Sequence, residues 1–77
     1  MTEETPETEL LRSAEVAEVR AQIEALPEPF RETLVLRELE DLSYKEIAQM
    51  SAVPIGTVMS RLARARKLLA EALESRR

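Results

Sequence analysis

Apolar residues recur at helical spacing along most of the chain, and the breaks between the periodic stretches are short. Val16, Val19, Ile23 and Leu26 form one stripe, with Leu10, Ala14, Ala17 and Ala21 as a weaker neighbour, which predicts a helix from about Pro6 to Ala25. Thr5 ahead of Pro6 and Glu7 suits its start, because proline fits the first helical position and acids are favoured near the positive end of the dipole. Met1 to Glu4 is polar and expected to be disordered. Pro27 and Pro29 punctuate the chain and restrict the residues before them. A second helix is predicted from about Glu28 to Glu40, where Phe30, Leu34, Val35, Leu36 and Leu39 make an apolar arc wider than one core face requires. Part of that arc fits an exposed docking surface, and burial of most of it inside a small bundle fits equally well. Arg31 and Arg37 stand at helical spacing from Glu28, Glu32 and Glu38, in pairs that would each contribute about 0.3 to 0.5 kcal/mol if exposed.

The next stretch is the most structured on paper. Ser43 followed three residues later by Glu46 is a capping box, which starts a short helix running to about Met50 with Ile47, Ala48 and Met50 on its apolar side. The pattern is lost at Ser51-Ala52-Val53, and Pro54 suits the first turn of a new helix. Tyr44 and Lys45 stand at the N-terminus of the short helix, where free N–H groups and the dipole attract phosphate; Tyr44 fits equally a partly buried aromatic packed on the second helix. The last helix is predicted from about Ile55 to Ser75. At about 100° per residue, Val58, Leu62, Ala65, Leu69 and Leu73 share one side, and Leu68 and Ala72 extend that seam for return packing on the first helix or for a further partner. Opposite lie Thr57, Ser60, Ala63, Arg64 and Lys67, with Met59 at the margin and Arg61 and Arg66 on the two flanks. The expected fold is all-α: a small four-helix domain with a C-terminal helix-turn-helix and a long recognition helix. In that motif the second helix enters the major groove of DNA. A small polar strip bordered by guanidinium groups fits base reading between two phosphate walls; a solvated basic face is the plainer alternative, and the capped helix and tight turn upstream favour the former.

Composition narrows the rest. The chain has 77 residues, no Cys and no His, which excludes zinc-finger and thiolate chemistry and any His-based triad. Its only glycine is Gly56, so there is no Gly-rich phosphate loop. No enzyme activity, metal, cofactor or small-molecule substrate is expected. Nothing resembles a signal peptide or approaches the roughly 20 apolar residues that span a bilayer, so the expected location is cytoplasmic, with no membrane partner. The net charge is −4, but residues 1–42 hold 12 acids and 4 bases whereas residues 43–77 hold 3 acids and 7 bases. The basic half can bind a polyanion while the acidic half points elsewhere.

The run Leu42-Ser43-Tyr44-Lys45-Glu46-Ile47-Ala48, followed by Val53-Pro54-Ile55-Gly56-Thr57-Val58-Met59-Ser60-Arg61-Leu62 and Arg64-Ala65-Arg66-Lys67-Leu68-Leu69, resembles region 4 of bacterial sigma factors, most nearly the extracytoplasmic-function group. The resemblance reaches upstream through Leu34 to Leu39 and on to Arg31 and Leu26-Pro27. It divides the chain into an acidic linker and first helix (1–25) and the region 4 helix-turn-helix domain (26–77), together one compact domain. The chain departs from the family's habit in two ways: Ala52 occupies a turn that often carries glycine, which takes positive φ without strain, and Met59 and Ala63 stand where some members place a basic and an aromatic side chain that touch bases.

The resemblance implies promoter recognition by an alternative sigma factor. Region 4 would read the minus-35 element in the major groove and dock on the β flap of RNA polymerase core through Phe30, Leu34, Val35, Leu36 and Leu39. Ser60 and Arg64 would read base edges, with Met59 and Ala63 in apolar contact such as with a thymine methyl. Tyr44, Lys45, Thr57, Arg61, Arg66 and Lys67 would border the DNA and position phosphates. An anti-sigma factor is a further expected partner. The alternatives are a docking module held mainly by such a factor, and a LuxR-type DNA-binding effector domain, which shares Lys-Glu-Ile-Ala and Thr-Val at similar spacing. A chain of 77 residues has no room for the region that reads the minus-10 element, so it is expected to be either a fragment of a longer sigma factor or a solitary region 4.

Overall fold

The computed structural model describes residues 6–75, with side chains from Glu15 onward. The expectation for Met1 to Glu4 lies outside the described residues, as do the side chains of Leu10 and Ala14. Four helices follow one another: α1 (Pro6–Glu24), α2 (Glu28–Glu38), α3 (Tyr44–Ser51) and α4 (Ile55–Glu74). The fold is all-α, as the periodicity predicts, and each boundary has a local cause.

Helix α1 closes with Ala25 N–H donating to Ala21 O and Leu26 N–H to Ile23 O, both at 3.1 Å, just before Pro27 forces extended backbone. Pro27 then serves as the N-cap of α2 at φ −55°, ψ 144°, and Pro29 sits in the first turn, where its missing N–H would have lacked a helical partner in any case. Helix α2 ends at Glu38, two residues short of the prediction. Leu39 and Glu40 N–H both turn to Val35 O, Leu42 N–H returns to Leu36 O at 3.0 Å, and Asp41 takes φ 56°, a left-handed conformation that Asp tolerates better than most residues.

Helix α3 begins with the capping box complete: Ser43 Oγ accepts from Glu46 N–H at 3.1 Å, and Ser43 N–H donates to Glu46 Oε1 at 2.9 Å. It ends with Ala52 in the left-handed region at φ 56°, ψ 44°. Ala52 N–H bonds Gln49 O and Val53 N–H bonds Ala48 O, the paired pattern of a Schellman motif. The turn therefore keeps the geometry glycine would give it and takes the strain. Pro54 is the N-cap of α4, one position earlier than its expected place inside the first turn; its φ −62° and ψ 151° are extended, and its carbonyl accepts from Thr57 and Val58 N–H.

Helix α4 is the spine, packing on each of the other three and most extensively on α2. Leu26, Leu34, Ile47, Val58, Leu62 and Ala65 form the core, with Ile23, Phe30, Leu36, Leu42, Tyr44, Ala48, Val53, Leu68 and Leu69 packed around it. The α4 seam is as predicted, and its extension through Leu68 and Leu69 meets the core side of the fold beside α1. Thr33 is also buried, at 1% exposure. Its hydroxyl donates to Pro29 O at 2.8 Å, so burial leaves no donor unpaired.

Two expectations need correction. Leu34 cannot belong to an exposed docking face, because it is only 3% exposed and lies in the core. Val16 and Val19, predicted to pack, are 50% and 37% exposed; the core is reached by Ile23 and, just past the end of α1, by Leu26.

Candidate nucleic-acid interface

Because Val58, Leu62 and Ala65 are buried, the opposite side of α4 must face outward. Ser60, Ala63, Arg64 and Lys67 are exposed, Met59 is 53% exposed, and Thr57 and Arg61 are half-buried along one edge. Ser60 and Arg64 stand one turn apart on the same side, the spacing that lets two side chains reach neighbouring base edges. Gly56, in the first turn, has nothing within 4 Å of the place a Cβ would occupy. Lys45 is exposed at the start of α3.

Tyr44 is half-buried against the core, which matches the packing role of the two open to it. The Arg37 guanidinium lies over its ring, 4.9 Å from the centroid, and donates from Nη1 to Leu42 O at 2.8 Å. Arg66, on one flank of the strip, gives Glu38 Oε1 two hydrogen bonds, from Nη2 at 2.6 Å and Nε at 3.2 Å, with both side chains half exposed. The Glu38 carboxylate raises the Arg66 pKa, with a smaller contribution from Tyr44.

The pairs expected along α2 therefore do not form as predicted. Arg31 donates from Nη1 to Glu24 O at 3.2 Å, Arg37 goes to the α2–α3 loop, and Glu38 goes to α4. For Arg31 the cause is the end of α1: carbonyls in the last turn of a helix lack helical donors and lie at the negative end of the dipole, and Glu24 is the last residue of α1. At the α3 cap, hydrogen bonds from Ser43 hold the Glu46 carboxyl below its ordinary pKa of 4.5.

Away from this face, Leu39 is 66% exposed and Val35 half-buried, while Phe30 and Leu36 pack on the core. Val35 and Leu39 line a groove of about 270 Å³ with Val16, Val19, Arg20, Ile23, Glu24 and Arg31. A second hollow of about 300 Å³ is lined by Val19, Ile23, Leu34, Val35, Glu38, Leu39, Arg66 and Leu69. The two hollows together make an apolar cleft between α1 and α2 that reaches the Glu38–Arg66 pair. Among the described residues, no group of His, Cys, Asp or Glu could hold a metal ion, and no helix is long and apolar enough to cross a membrane.

A capped short helix, a tight turn and a longer helix with its polar strip outward define a helix-turn-helix domain of the DNA-binding class. The family described as Sigma-70, region 4 matches residues 16–69, and the chain belongs to it, within the extracytoplasmic-function group. It is 46% identical over 71 residues to the RNA polymerase sigma-H factor of Pseudomonas aeruginosa, covering 92% of this chain and 37% of that protein. It is 46% identical over 66 residues to the ECF RNA polymerase sigma-E factor of Haemophilus influenzae, covering 86% and 35%. With the ECF RNA polymerase sigma-E factor of Escherichia coli it shares 53% identity over 47 residues, covering 61% and 25%. The chain thus spans between a quarter and two-fifths of the length of these curated relatives.

Proposed function

We propose that the chain is the promoter-reading part of an alternative sigma factor, acting in the cytoplasm with its α4 strip in the major groove of the minus-35 element. Ser60 and Arg64 read base edges, and Met59 and Ala63 supply apolar contact. Lys45, Thr57, Arg61 and Lys67 hold phosphates on either wall, with Tyr44 and Arg66 at the border. The observation that carries this is the placement of Ser60 and Arg64 outward and one turn apart, with Val58, Leu62 and Ala65 at 2% exposure or less behind them. The test is selection of bound duplexes from a random pool, followed by anisotropy titration of the 77-residue chain on the selected and a scrambled duplex at low salt. Arg64→Ala is expected to lose about 1 to 3 kcal/mol on the selected duplex and to relax specificity. Lys67→Ala is expected to weaken both duplexes alike and reduce the salt slope by about 1. Equal losses on both duplexes for both variants would contradict the assignment.

The cleft between α1 and α2 supports a docking role beside DNA reading. Its exposed Val16, Val19 and Leu39 suit an apolar helix in a groove. The β flap of RNA polymerase core is the occupant expected during initiation, and an anti-sigma factor the competitor that silences it.

A further inference from the structure

Arg66 borders the strip proposed to meet DNA, yet both its Nη2 and Nε are spent on one oxygen of Glu38, at 2.6 and 3.2 Å. Glu38 is the last residue of α2, and its neighbour Arg37 reaches the Leu42 carbonyl and the Tyr44 ring. Consecutive side chains at the end of α2 therefore grip both helices of the helix-turn-helix, Arg37 at the start of α3 and Glu38 at the middle of α4. A phosphate approaching Arg66 would find the Nε edge of its fork already holding a carboxylate in a charge-assisted bond, and would meet the Glu38 charge next to its own.

We propose that Glu38 and Arg66 form a clamp that sets the angle at which α4 is presented to the duplex, so that Arg66 is a positioning residue and not a phosphate ligand. This rests on the DNA-reading function above. It makes an acid on α2 a determinant of DNA affinity, with a sign opposite to the one its charge alone would give. As a bare charge, Glu38 repels DNA and its neutralisation should tighten binding. As half of a clamp, its neutralisation releases α4 and should weaken binding.

The test is anisotropy titration over a salt series with the selected and scrambled duplexes. It compares the 77-residue chain with Glu38→Gln, Arg66→Gln, the double variant, and the exchange Glu38→Arg with Arg66→Glu. The clamp predicts that each single variant weakens binding about two- to fivefold, the scale of an exposed ion pair. The slope of log K against log salt should stay unchanged, the double variant should bind no more weakly than either single, and the exchange should restore affinity. Tighter binding by Glu38→Gln, a slope reduced by about 1 in Arg66→Gln, or a folded exchange variant that fails to recover would each overturn the clamp. Circular dichroism on every variant separates loss of angle from loss of fold. If the unsubstituted chain does not discriminate the two duplexes, the DNA-reading function fails and the clamp with it; if it discriminates and Glu38→Gln binds more tightly, the clamp alone fails.

Discussion

Replacing Ala52 with glycine should stabilise the domain, although it removes a methyl group and adds none. Ala52 sits at φ 56°, ψ 44°, where an L-residue with a Cβ is disfavoured by about 1 to 2 kcal/mol. Glycine relieves that strain and costs about 0.4 to 1 kcal/mol through the greater freedom of its unfolded chain. The two Schellman hydrogen bonds are made by backbone atoms, Ala52 N–H to Gln49 O and Val53 N–H to Ala48 O, and survive the change. Ala52 is exposed, so its methyl contributes little burial. The balance is a gain centred on about 0.8 kcal/mol, within a range of about 0 to 1.6 kcal/mol. For a domain of this size it corresponds to a rise in Tm of roughly 2 to 8 °C. Urea unfolding followed by far-ultraviolet circular dichroism should show a higher midpoint at unchanged m. Asp41→Gly supplies a control at the same φ of 56°, with a smaller gain because aspartate visits this region more readily. An Ala52→Gly variant no more stable than the parent would refute the strain assignment.

Ser43→Ala removes the cap of α3 and is expected to cost about 1 kcal/mol. The response to acid belongs to Glu46, whose carboxyl is held below its ordinary 4.5 first by the Ser43 backbone N–H and then by the Ser43 side chain. A carboxyl whose pKa is lower in the folded state adds stability above its unfolded value and loses it as pH falls through the folded one. Because the backbone bond survives in Ser43→Ala, that variant should keep most of the acid response, whereas Glu46→Gln should lose it below about pH 4.5, as read by urea midpoints across pH; a Glu46→Gln curve parallel to the parent's would show that the box does not couple to the proton. Leu34→Ala should cost about 2 to 5 kcal/mol because Leu34 is 3% exposed, whereas Leu39→Ala at 66% exposure should stay within about 0.5 kcal/mol. A similar loss at both positions in thermal unfolding would show that the cleft wall at Leu39 is closed.

The helices were legible because each announces itself within a few residues. Ser43 and Glu46 specify a cap in four positions, Pro27 and Pro29 limit where a helix can begin, and Val58, Leu62 and Ala65 fix which side of α4 is inside. What stayed hidden depends on partners that are distant in sequence or on backbone atoms that carry no side-chain signal. Glu38 and Arg66 are 28 residues apart, a separation that helical spacing does not mark. Arg31 chose a carbonyl at the end of α1 and Arg37 one in the α2–α3 loop, acceptors that every residue possesses and no pattern marks. Thr33 could have been found, since it lies beside Leu34 on the inward side of α2 and a threonine there can bond the carbonyl four residues back. The exposure of Val16 and Val19 depends on how α1 meets α2 beyond Leu26-Pro27, which hydrophobic spacing does not encode.

The division of labour within so short a chain follows from α4 having to satisfy three neighbours at once. Its middle is sealed by Val58, Leu62 and Ala65, so a base-reading strip can exist only on the outward side, and rotating the helix to expose Arg66 further would pull those residues from the core. The strip is therefore fixed relative to α2 by packing first and by the Glu38 contact second. Among the described residues, the acids from Glu15 to Glu38 sit on α1 and α2, and of these Glu24 stands with Arg20 and Arg31 at the groove between the two helices. A helix docked there in the proposed role would have to answer those charges at one end and the Glu38–Arg66 pair at the other, which would fix its direction in a groove whose apolar floor accepts either.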